Sequence, residues 1–287
     1  MKKNQIIEKI IHGIFLITGL ITVACVALIT LYLVISGIPA IGKIGFVNFI
    51  FGKVWASTAK EPLYGIMPFI LTSFYGTAGA ILIGVPVGFL TSVYLSKIAN
   101  PKFKEVMESA VGLLAGIPSV VYGLVGMMVL VPGIRKIFHV PDGASLLASI
   151  LVLSVMILPS IIKMSITALD AVPKEYEDAS LALGATPIET YFRVSVPAAK
   201  SGIAAAVVLG VGRAIGEAMA VMMVAGNAPN MPSLFQSVRF LTTAVSSEMS
   251  YAGGLQREAL FSIALVLFVF SMIINGVLNL FLKRGKN

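Results

Sequence analysis

Six apolar runs divide the chain, at residues 11–35, 66–94, 110–131, 146–168, 203–224 and 259–282. A bilayer core about 30 Å thick needs about 20 residues of helix, so each run reads as a membrane-spanning helix. One connection between them stands out. Residues 175–197, Glu-Tyr-Glu-Asp-Ala-Ser-Leu-Ala-Leu-Gly-Ala-Thr-Pro-Ile-Glu-Thr-Tyr-Phe-Arg-Val-Ser-Val-Pro, form the most polar long stretch of the chain. The pattern predicts two short helices joined by a tight turn. Pro173 suits a first helical turn, Glu175 meets the positive end of the helix dipole, and Tyr176, Ala179, Ser180 and Leu183 share one face. Gly184 supplies a left-handed stop, Thr186 and Glu189 make a capping box around Pro187, and Pro197 closes the second helix.

Composition agrees with this pattern. Apolar residues make up 57% of the chain and charged residues 12%, which excludes ordinary soluble usage and makes this an all-α, polytopic membrane protein. Six spans put both termini on one side. The first run follows Lys2, Lys3 and Lys9 but is too long for a cleavable signal, so it is expected to be a retained signal-anchor helix. Cys25 is the only cysteine and lies inside an apolar run, so no internal disulfide is possible. His12 and His139 are too isolated to suggest a metal site. No phosphate-binding Gly-x-x-x-x-Gly-Lys-Ser/Thr occurs, and Gly84-Val-Pro-Val-Gly88 lacks the lysine, so any ATP must be bound by another chain.

The cations set an orientation. With the N-terminus inside, the inner segments carry Lys2, Lys3, Lys9, Lys97, Lys102, Lys104, Lys163, Lys174, Arg193, Lys200, Lys283, Arg284 and Lys286. The outer segments carry Lys43, Lys53, Lys60, Arg135, Lys136, Arg239 and Arg257. The excess places both termini and the 175–197 finger in the cytoplasm. It also explains the net charge of +8 as topology and contact with anionic lipid, since no basic stripe with interleaved aromatics suggests nucleic acid.

The outer loop at 37–65 holds Phe46, Phe49, Phe51 and Trp55, read here as interface anchors in preference to a partner surface. Pro68, Pro86 and Pro159 are expected to bend their spans, as is Gly116-Ile-Pro-Ser119 in the third. The fifth span is nearly bald: Gly and Ala dominate it, and Gly212 and Gly216 are spaced as a helix-contact face. Arg213 and Glu217 lie within it, four residues apart and therefore on one face of a continuous helix. A charge at bilayer depth costs about 2.5–3.5 kcal/mol on insertion scales, so the two imply a mutual salt bridge or a watery path. A path is favoured, because the planar Arg fork matches the oxygens of phosphate or carboxylate.

These residues also carry a family resemblance. Asp178-Ala179-Ser180, Gly184 and Val194-Ser195-Val196-Pro197 resemble the EAA loop of ABC-importer permeases, whose pattern is Glu-Ala-Ala, three residues, Gly, nine residues and Ile-x-Leu-Pro. Gly116-Ile-Pro-Ser119-Val-Val-Tyr122-Gly123 resembles the third-span signature of phosphate-importer permeases. Arg213-Ala-Ile-Gly-Glu217-Ala-Met-Ala-Val is similar to the fifth-span signature of their PstC-type subunit, since the PstA type follows with Thr-Ala-Pro. The resemblance implies a type I (MetI-like) permease with six transmembrane helices in the cell (inner) membrane. It implies domains at 1–65 (signal anchor and first outer loop) and 66–282 (permease, with the coupling loop at 173–197), then a basic tail at 283–287.

On the same resemblance Glu175, Glu177, Asp178, Ala179, Ser180, Gly184 and Pro197 would couple to the ATPase, and Arg213, Glu217, Ser119 and Tyr122 would line the path of inorganic phosphate. The implied partners are a PstA-type permease, a PstB-type ATPase dimer that uses ATP and Mg²⁺, and a PstS-type extracytoplasmic phosphate-binding protein, which the loop at 227–257 could meet. This chain would hold no cofactor and perform no catalysis. Three alternatives remain: a permease for sulfate or molybdate, an intramembrane enzyme built on Glu217, Arg213 and Lys163, and a passive anion channel, which has no use for an ATPase-docking finger.

Overall fold

Helices account for most of the computed structural model, which describes residues 2–284; the expected basic tail lies outside the described residues from 285 onward. In chain order they are α1 (Lys2–Ile44), α2 (Phe46–Phe51), α3 (Met67–Val93), α4 (Pro101–Gly116), α5 (Ser119–Val125), α6 (Val131–Phe138) and α7 (Leu146–Asp170). Then come α8 (Lys174–Ala182), α9 (Pro187–Thr190), α10 (Val196–Ala198), α11 (Lys200–Gly216), α12 (Met219–Val224), α13 (Leu241–Glu248) and α14 (Gly254–Arg284). A small antiparallel hairpin of β1 (Trp55–Ala56) and β2 (Leu63–Tyr64), pairing Trp55 with Tyr64, separates α2 from α3. Among the described residues five helices are long and apolar enough to cross a membrane, and six if the bent pair Pro187–Ala198 and Lys200–Gly216 counts as one span.

The bundle is built around α7. Two-thirds of its apolar window is buried, against none of that of α1, which runs along the outside and packs on α14. On α7, Ile157 and Ile161 reach over Gly84 and Gly88 of α3, and the far side of Ile161 meets Gly210 of α11. Bare backbone on two neighbours lets one bulky row fill both seams, so packing substitutes for the missing hydrophobic drive inside a bilayer.

Prolines explain most of the irregularities. Pro132 and Pro197 each follow a π-helical turn, Gly126–Leu130 and Tyr191–Ser195. Proline lacks an N–H and its ring presses on the carbonyl four residues back, and a widened turn relieves both problems. The second finger helix therefore does not close at Pro197 but runs to Ala198, after which the chain turns by 72° into α11. By contrast Pro86 and Pro159 sit inside the unbroken α3 and α7.

Three expectations are corrected. The third span is not 110–131: α4 stops at Gly116, Ile117 is extended (φ −68°, ψ 128°), and the crossing helix runs Ser119–Phe138. Pro118 disfavours helical geometry at the preceding residue, so Gly116-Ile-Pro-Ser119 is a boundary and not a bend within the span. The fifth span is likewise interrupted, at Glu217. Finally, Trp55 and Phe49 are buried and do not anchor at the interface, while Phe46 and Phe51 stay exposed.

Candidate functional site

The finger folds as its residues dictate. Helix α8 ends at Ala182, and Gly184 adopts φ +88°, where a side chain would be strained. The Ala185 N–H donates to the Ser180 carbonyl at 3.2 Å and the Gly184 N–H to Leu181 at 3.0 Å, the paired bonds of a Schellman stop. Thr186 and Glu189 then form the capping box, with Pro187 opening α9. The Thr186 N–H and hydroxyl, both donating to Glu189 Oε2, hold that carboxyl below the usual glutamate range.

The two limbs are tied together and to the bundle. Ser180 Oγ and Thr190 Oγ1 share a hydrogen bond of 2.9 Å. Glu177 Oε1 accepts from Lys97 Nζ, at the end of α3, and from Ser195 Oγ, each at 2.7 Å. Burial pushes the Glu177 carboxyl up, but the Lys97 and Ser195 donors outweigh it and hold the group below its ordinary value. Of the expected coupling residues, Glu175, Asp178, Ala179 and Pro197 face solvent. So do the apolar side chains of the same surface: Leu183 is 89% exposed, Ile188 63% and Tyr176 56%. A short polar hairpin that displays such residues has an unpartnered apolar face.

At the other site, the fifth span breaks where Arg213 and Glu217 were expected to share a helical face. Arg213 occupies the last turn of α11, whose carbonyl end favours a cation. Glu217 lies beyond it, extended at φ −72° and ψ 127°, and its Oε1 accepts the Ala220 N–H of α12 at 2.9 Å. Its carbonyl accepts from Thr242 Oγ1 on α13 at 2.8 Å. Arg213 Nη1 instead donates to Ser160 Oγ at 3.3 Å, and no ion pair joins Arg213 to Glu217 among the described residues. The same-face geometry is thus replaced by two groups with separate partners.

The break has a local cause and a tertiary one. Gly210, Gly212 and Gly216 each weaken the helix by about 1 kcal/mol relative to Ala. Thr242 and the Glu217 carboxylate then satisfy backbone groups that the interruption frees, as a membrane interior requires. The restart lets α12 pack on α5, where a Cβ on Gly123 would come within 2.8 Å of the Ala220 Cα. A Cβ on Gly212 or Gly216 would meet nothing within 4 Å among the described residues, so the expected helix-contact face is open here.

Ser119 opens α5 and Tyr122 lies one turn later, within electrostatic reach of Arg213. The Tyr122 hydroxyl donates to the Leu114 carbonyl at 2.7 Å, bridging the α4–α5 boundary. A 350 Å³ cavity beside it is walled by residues such as Leu114, Val121, Val125 and Val152 and offers no cation to an anion. Sequence reasoning missed Ser160, Thr242, Lys97 and Ser195, whose roles appear only when distant segments meet.

It also missed a polar node at the opposite end from the finger. Glu248 is buried and receives Arg239 Nη1, Trp55 Nε1 at 3.3 Å, Ser57 Oγ at 3.4 Å and Gln256 Nε2 at 2.9 Å. Arg239 also donates through Nε to the Asn227 carbonyl at 2.8 Å and lies 5.8 Å from the Phe69 ring centroid. Burial, and secondarily the Glu248 charge, push the Tyr64 hydroxyl above its ordinary value.

Known proteins similar to this chain are transport components. The family model for the binding-protein-dependent transport system inner membrane component matches residues 80–286. The probable ABC transporter permease protein YqgH of Bacillus subtilis is 37% identical over 99% of this chain and 94% of its own length. The phosphate transport system permease protein PstC of Haemophilus influenzae is 31% identical over 93% of this chain and 90% of its own. Among solved structures, a chain of the bacterial alginate ABC transporter superposes with a TM-score of 0.60 at 15% identity, over 94% of this chain and 93% of that one. The inward-facing MetNI methionine ABC transporter gives 0.58 at 23%, over 77% and 94%. The solved structures establish the fold, and the sequence matches span most of the chain, which belongs to the family of binding-protein-dependent transport system inner membrane components.

Proposed function

We propose that the protein is the PstC-type permease of an ATP-driven importer of inorganic phosphate. The observation that carries the substrate is Arg213, a guanidinium at the end of a broken membrane helix, in a chain whose Haemophilus influenzae relative is a phosphate transport permease. A planar fork can hold two phosphate oxygens at once and stays charged at any accessible pH. Among the described residues one of its nitrogens is engaged by a side chain, the neutral Ser160, and no carboxylate competes for the guanidinium.

The finger supports the energy source. Its exposed Leu183, Ile188 and Tyr176 suit a cleft on a PstB-type ATPase subunit, which would bind the ATP and Mg²⁺. A PstA-type permease would pair with this one, and a PstS-type binding protein would deliver phosphate from outside. ATP shifts the bundle between two states by its differential interaction with them, and the finger carries that bias into the spans. Both termini and the finger lie in the cytoplasm on this reading. In support, Lys97–Glu177 and Lys104–Asp170 gather the segments assigned inside, while Lys43–Glu258 and Arg239–Glu248 gather those assigned outside.

The test is reconstitution of the chain with its ATPase, sister permease and binding protein in liposomes, with uptake measured across oxyanions. Phosphate should stimulate hydrolysis and accumulate. Stimulation by sulfate or molybdate in its place would overturn the substrate, and uptake without ATP would overturn the mechanism.

A further inference from the structure

Glu177 has a role that the exposed docking face does not require. One oxygen, Oε1, accepts from both Lys97 Nζ and Ser195 Oγ at 2.7 Å. Lys97 belongs to the π-helical turn Tyr94–Ile98 at the end of α3. Ser195 belongs to the π-helical turn Tyr191–Ser195, which leads into the 72° elbow before α11. Such turns are rare overall but frequent at functional positions. Here two of them, from different parts of the chain, meet on one carboxylate oxygen.

The contact is shielded. The Lys97 and Glu177 side chains are 10% and 18% exposed, and Ser195 is buried. Exposed ion pairs contribute little, but a charge-assisted bond withdrawn from water is about twice as strong as a neutral one. The neighbouring carboxylate, Asp170, is already held by Ser96 and Lys104, each at 2.6 Å, which leaves Lys97 to Glu177. Lys174, on α8 itself, adds to the positive field around the carboxyl. The Schellman stop, the capping box and the Ser180–Thr190 bond hold the finger's two limbs together without Glu177. Losing the carboxylate therefore leaves the finger folded and removes its charged link to the end of α3, where the apolar packing of Val93 with Val172, Val196 and Ala199 remains.

We propose that Glu177 is a positioning residue that clamps the finger to two membrane segments at once, so that a displacement of α8 reaches the end of α3 and the elbow ahead of α11 together. This rests on the reading of the chain as an ATP-driven importer permease. Coupling requires a contiguous element that both sites bias, and this oxygen is the charged contact at which the finger, the end of α3 and the elbow meet.

The reconstituted transporter tests it through the substrate imported per ATP hydrolysed, a ratio that a purely structural contact does not alter. Glu177→Gln keeps an acceptor for Ser195 and removes the charge that pairs with Lys97. The expected result is an assembled transporter whose ratio falls about tenfold, within the range of ordinary coupling energies. The reversed pair, Glu177→Lys with Lys97→Glu, should recover most of that loss. An unchanged ratio in Glu177→Gln, or no recovery in the reversed pair, overturns the clamp. Failure of both variants to assemble with the ATPase also overturns it, by making the contact one needed only for folding. A wild-type transporter that imports another oxyanion overturns the phosphate reading instead, and the ratio is then measured with that oxyanion.

Discussion

Arg213 and Glu217 look like a pair in one dimension and are not one in three. Each has its own partner: Arg213 donates to Ser160 of α7, and Glu217 accepts the N–H of Ala220 three residues on. The single replacement that isolates the role of Arg213 is therefore Arg213→Lys, which keeps the charge at the α11 terminus and loses the planar fork. Uptake by the reconstituted transporter should fall at least about tenfold, while assembly and thermal stability stay near wild type. Normal uptake would remove Arg213 from the phosphate path. Glu248 offers the opposite case, a residue whose replacement acts on stability. It is 6% exposed and bound by Arg239, Trp55, Ser57 and Gln256. Glu248→Ala leaves Arg239 without its carboxylate and should destabilise the purified protein by about 3–5 kcal/mol. Thermal unfolding in detergent measures this, and an unchanged midpoint would show that the node is dispensable.

At the level of elements, the finger was legible because its signals are local: a Gly in the left-handed region, a capping box and a Pro at the first helical position all act within a few residues. Gly184→Val places a β-branched residue at φ +88°, at a cost of about 1–2 kcal/mol, and turns α9 away from α8. The expected outcome is a transporter that inserts and assembles but hydrolyses ATP without phosphate uptake. Normal coupling at wild-type abundance would show that the turn does not set the finger's geometry. The third and fifth spans were less legible. Hydropathy sums over a window and passes through a backbone break, so Ile117 and Glu217 vanished into continuous apolar runs. The Pro118 rule was available in the sequence for the first of these. The second needed Thr242, which reaches the Glu217 carbonyl from 25 residues away.

Across the whole molecule, the cation bias and the polar contacts at the two ends divide the chain in the same way. The structure improves the choice of probes for that topology. Ser57 is half-buried against Glu248 and Ser180 is bonded to Thr190, whereas Ser233 and Ala182 are exposed. In a Cys25→Ala background, Ser233→Cys should react with a membrane-impermeant maleimide in intact cells and Ala182→Cys should not. The reverse pattern would invert the orientation. Membrane residence, the number of apolar crossings and the finger follow from composition and short-range pattern, because transfer into lipid and turn geometry depend on each residue and its near neighbours. Tertiary packing decided the rest. It placed Trp55 on Glu248 and away from the lipid interface, broke the fifth span between Arg213 and Glu217, and joined Lys97 to Glu177 across 80 residues of chain. These outcomes depend on which distant donors become available to a buried acceptor, and that is a property of the fold rather than of any stretch of sequence.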